Sequence, residues 1–196
     1  MQVKRVPITG TIATLNWPET FAYCPQVEFS ISHSDNVLHL HYKVKEDAVR
    51  AECSQDGDHV WEDSCVEFFF APADDGIYYN IECNPVGKLY FCYGEGRHGR
   101  QMISQESLAS IRRSCSLGEQ AFGLKEGPVE WEVALDIPVS AFEKHDIKTL
   151  SGLKARGNFY KCGDKLPVRH YVSHFPIGTE KPDFHRPEFF GEICFE

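Results

Sequence analysis

The sequence predicts an all-β protein: a two-sheet antiparallel β-sandwich of the immunoglobulin-like or jelly-roll type, with one short helix. Residues 37–44 and 129–137 alternate strictly between apolar and polar side chains, as half-buried antiparallel strands do. The composition agrees, because the chain has 14 Phe and 8 Tyr but only 2 Met, and aromatic side chains suit a pleated surface. Short strands separated by turn residues indicate two packed sheets.

The remaining elements are predicted from the same patterns. Further strands are expected at residues 27–31, 65–70, 78–84, 88–93, 159–162, 171–175 and 192–195. Turn residues separate them at Asp35-Asn36, Asp56-Gly57-Asp58, Asp74-Asp75-Gly76 and Pro85-Val86-Gly87. A helical pattern occurs at 104–113, and a single turn is expected at 138–142. A chain of 196 residues suits one domain, residues 1–196.

Charge and terminal sequence narrow the function and the location. The formal net charge of −9 and the lack of a basic stripe argue against nucleic acid as a partner. No apolar run approaches the roughly 18 residues of a membrane span. The first residues lack the pattern of a secretory leader, so we expect a cytoplasmic protein; a chain whose leader had been removed would be secreted or periplasmic. The 8 Cys form no CxxC pair, and we expect reduced thiols.

Residues 61–67 place a tryptophan and carboxylates at the start of a hydrophobic strand. Glu67 is followed by three phenylalanines, where a carboxylate costs free energy unless it has a partner. On the next predicted strand Asn80, Glu82 and Asn84 share one face, because side chains alternate with a period of two. A flat ring such as Trp61 beside amide and carboxylate acceptors is typical of sugar binding. The sequence therefore predicts a saccharide ligand.

The order of motifs along the chain resembles that of the family 9 carbohydrate-binding modules, a β-sandwich family found beside enzymes that degrade xylan and cellulose. The matching motifs are Trp61 with Glu62-Asp63 and Val66-Glu67, Tyr78 to Asn84 with Gly87, Trp131 to Pro138, Gly157-Asn158-Phe159-Tyr160, and Asp183-Phe184-His185-Arg186-Pro187 with Phe189-Phe190-Gly191. The resemblance covers about residues 10–196. It implies non-catalytic binding of a β-linked gluco- or xylo-configured saccharide, or its end, in polysaccharide catabolism.

The resemblance also implies roles for individual residues. In that family two tryptophans clamp the sugar, which makes Trp61 the first clamp aromatic and Glu67 a hydroxyl acceptor. Glu82 and Asn84 become residues that recognise the sugar hydroxyls. His174 occupies the position after a serine where the second tryptophan is expected, and His174 or Phe175 would stack on the sugar in its place. Additional hydrogen bonds are assigned to Lys88, Arg97 and Asn158. No cofactor is required, but structural calcium occurs in such modules, and Asp56-Gly57-Asp58 and Asp74-Asp75-Gly76 offer suitable oxygen ligands.

Three other functions are open at this stage. Glu67 and Glu82 on adjacent strands would suit a glycoside hydrolase, which uses two carboxylates. His39, His41 and Glu46 resemble the ligand set of a metal-dependent jelly-roll enzyme. Residues 94–99 spell GxGxxG, but the polar, glycine-punctuated sequence that follows does not supply the parallel strand of a dinucleotide fold. We interpret these glycines as a hairpin or a mobile loop.

Overall fold

Two mainly antiparallel sheets packed face to face form the protein, as seen in a computed structural model that describes residues 1–34 and 36–196. The predicted β-sandwich is therefore confirmed. Numbered in chain order, the 9-stranded first sheet runs β1 (Gln2–Val3), β14 (Gly191–Phe195), β12 (Lys154–Cys162), β6 (Cys65–Ala71), β7 (Tyr78–Cys83), β8 (Leu89–Gly94) and β9 (Gln101–Met102), with β13 (Tyr171–Ser173) pairing with β12 and β3 (Thr14–Leu15) with β13. The 5-stranded second sheet runs β10 (Arg112–Cys115), β11 (Phe122–Pro138), β5 (Val37–Ala51), β4 (Gln26–His33) and β2 (Ile8–Thr11).

Each strand predicted from the sequence is present, and the predicted helix is shorter than expected. Helix α1 (Gln105–Ser110) begins after Ser104, whose side chain accepts a hydrogen bond from the Ser107 amide. The helix ends there because Arg112–Cys115 pairs with β11 instead of continuing the helix. A short 3-10 turn, Val139–Ala141, occupies the predicted turn at 138–142. The turn predicted at Asp35 lies outside the described residues.

The strands missed from the sequence are short ones at the sheet edges. They are β1, β2, β3, β9 and β10, of two to four residues each. Segments of this length carry too few residues to show a period-two pattern.

Across the described residues, no helix has the length and apolar character needed to cross a bilayer.

Aromatic side chains fill the space between the two sheets. Phe159 stacks on Phe29 of the second sheet with ring centroids 3.8 Å apart, and on Phe68 of its own sheet at 4.5 Å. Phe70 and Tyr42 complete this layer, and none of the five is more than 2% exposed. Burying one such side chain stabilises the fold by about 1.5–3 kcal/mol. This aromatic layer holds the inner face of the first sheet against the second sheet.

A buried polar cluster interrupts the apolar interior. The ammonium of Lys161 lies 2.9 Å from Glu46 Oε2 and donates to Nε2 of His170 at 2.8 Å. The indole N–H of Trp131 donates to the other Glu46 oxygen at 2.7 Å. Burial and the Lys161 charge lower the pKa of His170 to about 3, which leaves its ring neutral and able to accept. The ion pair is wholly buried.

The outer face of the first sheet is also covered. Because side chains alternate along β6, Cys65, Glu67 and Phe69 point away from the space between the sheets, yet all three are buried. Residues 175–190 fold over this face. Phe184 stacks on Tyr160 with ring centroids 4.2 Å apart and planes inclined by 9°. The sheet thus has a second apolar cluster, and the polar side chains beside it lie at the base of a recess.

Replacing Gly157 by Ala is expected to reduce the free energy of unfolding by about 1–3 kcal/mol, because the added methyl overpacks the sheet. A Cβ at this central position of β12 would lie 2.5 Å from the backbone oxygen of Phe69 and 2.9 Å from Ile193 Cδ1. Urea unfolding measures the change. Gly96→Ala is the matched control, since no atom lies within 4 Å of its Cβ position. Equal stability of the two variants would contradict the expected clash.

Candidate functional site

A pocket of about 250 Å³ opens on the outer face of the first sheet. Four side chains assigned to the site from the sequence line it, namely Trp61, Glu67, Glu82 and Arg97. The other lining side chains include aromatic rings from two further strands and cations from the loop after β8. The recess therefore combines flat rings with both signs of charge. This combination can hold a polar ligand that carries a flat apolar face.

The strand register explains why the two glutamates share the floor. Glu67 of β6 and Glu82 of β7 are direct cross-strand partners. The same row continues to Tyr160 on one side and to Tyr90 on the other. Directly opposed side chains in an antiparallel pair have Cβ atoms about 4.5–5.5 Å apart. The sheet itself therefore places two carboxyl groups side by side between aromatic rings.

Both carboxyl groups are buried without a cation partner. Glu67 is 3% and Glu82 4% exposed, and among the described residues neither takes part in an ion pair. The Cys162 thiol donates to Glu67 at 3.0 Å, and the Asn80 amide donates to Glu82 at 2.7 Å. Burial raises the pKa of Glu67 well above its usual range and that of Glu82 to about 7. Both carboxyls retain acceptor capacity toward the pocket.

The raised pKa of Glu82 predicts a contribution to stability that is lost as the pH rises to about 8. Between the unfolded pKa of this group, about 4.3, and the folded one, the folded chain binds more protons at Glu82 than the unfolded chain, so this contribution to the free energy of unfolding falls with increasing pH. The lowered pKa of His170 acts in the opposite direction up to its unfolded pKa of about 6.5, so the fall is expected from about pH 6.5 to about pH 8. Glu82→Gln should reduce this slope, because the amide keeps an oxygen for Asn80 and does not titrate, while Glu67 keeps its own contribution. Melting temperatures measured across this pH range test the prediction. Glu130→Gln, at an exposed ion pair with Lys45, serves as the control and should keep the wild-type slope.

Trp61 forms one wall of the pocket from the 3-10 turn Val60–Glu62. Its ring stacks on His59 at 4.4 Å and meets the edge of Tyr90 at 5.0 Å. The neighbouring Asp63 is wholly buried and accepts from the backbone amides of residues 52 and 53 and from Arg50. Of the acidic pair Glu62-Asp63, Asp63 therefore has a structural role, because its hydrogen bonds fix the turn that carries Trp61. The indole is held in place before any ligand arrives.

Tyr171 supplies a second aromatic wall that sequence reasoning missed. It lies on the short strand β13, directly across from Cys162 of β12, and so faces the pocket. Its hydroxyl donates to Asp164 at 2.7 Å, and its ring meets the edge of Phe21 at 4.8 Å. Burial raises the pKa of this hydroxyl, which stays protonated. Alternation along the predicted strand 171–175 could have indicated this position, because residues 171 and 174 lie on opposite faces of a strand.

Cations line the side of the pocket formed by the loop between β8 and β9. Arg100 donates to Asn80 Oδ1 at 2.7 Å and lies over the Tyr78 ring at 4.2 Å, while Arg97 stays largely exposed near Asp183. This is the GxGxxG segment, and it joins two antiparallel strands as a hairpin loop, one of the two predicted possibilities. A dinucleotide fold needs a parallel strand there, so the nucleotide hypothesis is wrong. The loop instead carries Arg97 and Arg100 to the pocket.

Four side chains assigned to the site lie elsewhere. Asn84 is wholly buried, donates to Asp63 at 3.1 Å, and accepts from the amides of Val86 and Lys88. His174 places Nδ1 2.8 Å from the backbone oxygen of Thr11 and packs edge-on against Phe29. Neither lines the pocket, nor do Lys88 and Asn158. The amide of Asn158 bonds the backbone of Phe175 instead.

The proposed metal set of His39, His41 and Glu46 is separated in the structure. The histidines lie on the outer face of β5, where His39 pairs with Asp136 at 2.6 Å and His41 with Glu132 at 2.8 Å. Glu46 has the opposite parity on β5 and lies between the sheets beside Lys161. Three residues on two faces of one strand cannot share an ion. The jelly-roll enzyme hypothesis is therefore wrong.

Three of the four aspartates suggested for calcium have partners within the protein. Asp56 forms an ion pair with Arg113 at 2.6 Å, Asp58 accepts from two backbone amides, and Asp75 lies 3.2 Å from His145. In the described part of the chain no three carboxylates converge within the reach of one ion. Structural calcium therefore stays a prediction from the family resemblance.

The fold and the pocket define a β-sandwich binding module. A family model described as carbohydrate-binding family 9 matches residues 1–195. The chain belongs to this family. A comparison with curated proteins finds no match.

Solved structures agree with this assignment. A protein of Bacteroides uniformis ATCC 8492, provisionally described as carbohydrate-binding, is 41% identical with a TM-score of 0.96, covering 100% of this chain and 98% of the other. A family 9 module of Caldicellulosiruptor kristjanssonii in complex with cellotriose has a TM-score of 0.61 at 13% identity, covering 100% and 93%. Its counterpart in complex with glucose has a TM-score of 0.59 at 12% identity, covering 100% and 96%. The last two show the fold alone.

Proposed function

We propose that this protein binds saccharides without catalysis, in the pocket lined by Trp61, Tyr171, Glu67 and Glu82. The observation that carries the proposal is the pair of buried carboxyl groups, which lack a cation partner among the described residues and lie between aromatic rings. A sugar suits both the rings and the carboxyl groups, because its C–H face packs on a ring and its hydroxyls donate hydrogen bonds to carboxyl oxygens. On this proposal no cofactor is required, since side chains alone supply the rings and the acceptors that line the pocket.

Pocket size favours the end of a saccharide over the middle of a long chain. Pockets for drug-sized ligands usually measure about 300–1,000 Å³, and this one is smaller at about 250 Å³. We propose a gluco- or xylo-configured terminal unit with a β-linkage. The complexes of other family 9 modules with cellotriose and glucose support this choice.

A catalytic role for Glu67 and Glu82 is disfavoured by their electrostatics. A retaining glycoside hydrolase needs one protonated and one ionised carboxyl group. Here burial raises the pKa of both groups, and the Arg100 guanidinium is directed to Asn80 and to backbone oxygens rather than to either glutamate. Aryl-glycoside turnover that is present in the wild type and lost in Glu67→Gln would overturn the non-catalytic proposal.

Isothermal titration calorimetry against glucose, xylose, cellobiose and xylobiose tests the proposed function. We expect saturable binding by at least one of these sugars and weaker binding in Glu82→Gln, whose amide replaces one acceptor by a donor. A ligand at 100 times its Kd also stabilises the folded protein by about 2.7 kcal/mol, which a thermal shift detects. Absence of both heat and thermal shift across the panel would contradict the proposal.

A further inference from the structure

We propose that Cys65, Cys162 and Glu67 form a binding site for a thiophilic divalent cation, of which Zn²⁺ is the representative, at the floor of the pocket. Cys65 and Glu67 lie two residues apart on the same face of β6, and Cys162 lies directly across from Cys65 on β12. One ligand atom from each of the three residues lies within 4.8 Å of the others. No other group of three His, Cys, Asp or Glu side chains converges in this way among the residues described.

The dimensions suit a single tetrahedral ion. Zinc binds thiolate sulfur at about 2.3 Å and carboxylate oxygen at about 2.0–2.2 Å, which places two ligand atoms on one ion about 3.5–3.8 Å apart. Cys162 Sγ is 3.0 Å from Glu67 Oε1, and Cys65 Sγ lies within 4.8 Å of both atoms. Adjustments of about 1 Å therefore bring all three onto one ion. Rotation about the side-chain bonds supplies such movements without moving the strands.

Charge and burial distinguish this cluster from ordinary core cysteines. Glu67 is 3% exposed and has no ion-pair partner among the described residues, and the Cys162 thiol that donates to it at 3.0 Å carries no charge to balance its ionised form. The thiols of Cys65 and Cys162 are at most 1% exposed, and their hydrogen bonds to backbone oxygens, at 3.7 and 3.6 Å, are long. A divalent ion would satisfy all three groups at once.

The site has access from solvent and room for a fourth ligand. Cys162 and Glu67 line the pocket, so an ion bound to them would face the recess that we propose for the sugar. A water molecule or a ligand hydroxyl would complete its coordination. Binding requires each coordinating thiol to release its proton to solvent and involves no change of oxidation state. The proposal does not depend on saccharide binding.

Zinc and cobalt titrations under reducing conditions test the site. The wild-type protein should bind one equivalent of Zn²⁺ by calorimetry, and Co²⁺ should give a thiolate-to-cobalt charge-transfer absorption. Cys65→Ala and Cys162→Ala should each weaken Zn²⁺ binding by about 100-fold, since each removes a thiolate ligand. Cys83→Ala is the matched control: Cys83 is equally buried but faces the space between the sheets, so binding should be unchanged.

Three outcomes would overturn the proposal. They are no stoichiometric zinc binding by the wild type, equal binding in all cysteine variants, and a Cys65–Cys162 disulfide that persists in protein purified under reducing conditions. If an alanine variant fails to fold, Glu67→Gln and the cobalt spectrum of the wild type still decide the matter. Calorimetry with sugars in the presence of a chelator separates this site from the proposed function, because the chelator removes the ion and leaves the side chains that line the pocket.

Discussion

Replacing Lys161 by Met is expected to lower the free energy of unfolding by about 3–5 kcal/mol, because breaking a buried ion pair leaves an uncompensated charge. The Lys161 ammonium is wholly buried and lies 2.9 Å from Glu46. It also donates to the neutral His170 ring and to the backbone oxygen of Cys162. Its removal leaves Glu46 with the Trp131 indole as its hydrogen-bond donor. Urea unfolding followed by Trp fluorescence measures the loss.

Lys45→Met is the matched control for this substitution. Lys45 pairs with Glu130 on the outer face of β5, where both side chains are more than half exposed. Exposed pairs of this kind contribute about 0–1 kcal/mol, so the control should remain near the wild type. The double variant Lys161→Met with Glu46→Gln should recover part of the stability, since the second change removes the buried charge. A loss below about 1 kcal/mol in Lys161→Met would contradict the buried ion pair.

Replacing Trp61 by Ala is expected to weaken saccharide binding by about 30-fold or more, the effect of losing a central aromatic contact worth at least about 2 kcal/mol. Trp61 is half-buried at the pocket wall and is supported by His59 behind the ring. The melting temperature should change little, because the turn is fixed by Asp63 rather than by the indole. Calorimetry and a thermal melt on the same sample separate the two effects.

His174→Ala is the control for the Trp61 substitution. His174 was assigned to the second clamp from the sequence, but it contacts Thr11 and Phe29 away from the pocket. Binding should therefore be unaffected, whereas Tyr171→Ala should weaken it. A variant His174→Ala that loses binding while Tyr171→Ala retains it would favour the assignment made from the family resemblance. A large drop in the melting temperature of Trp61→Ala would place the indole in the core instead.

The sequence brought out both glutamates at the floor of the pocket, by two different signals. Glu67 was noted because its neighbours are apolar, Glu82 because the period of two places it on one face with Asn80, and the register of the sheet makes the two glutamates partners. The same rule would have separated His41 from Glu46, had β5 been extended beyond residue 44. The structure continues this strand to Ala51, so the two side chains lie on opposite faces. The metal-site hypothesis was wrong because the predicted strand ended at residue 44, seven residues before the end of β5.

The rest of the site depends on contacts that are distant in sequence. Arg100 reaches Asn80 from a hairpin loop, and Tyr171 reaches Asp164 from a three-residue strand. Loops carry no periodicity, so their side chains cannot be placed without the fold. The pairing of Cys65 with Cys162 is of the same kind, because it depends on which strands are neighbours in the sheet. Turn chemistry explains Asn84, whose amide closes a loop, as asparagine often does.

Chemical-shift mapping of backbone amides during titration with cellobiose tests the central claim most directly. The account predicts that perturbed amides cluster around Trp61, Glu82, Tyr171 and the loop of residues 94–100. These segments are far apart in the sequence and meet only at the pocket. Perturbations confined to the region of His174, or to the outer face of the second sheet, would contradict the proposed site. So would a spectrum that stays unchanged at saturating sugar.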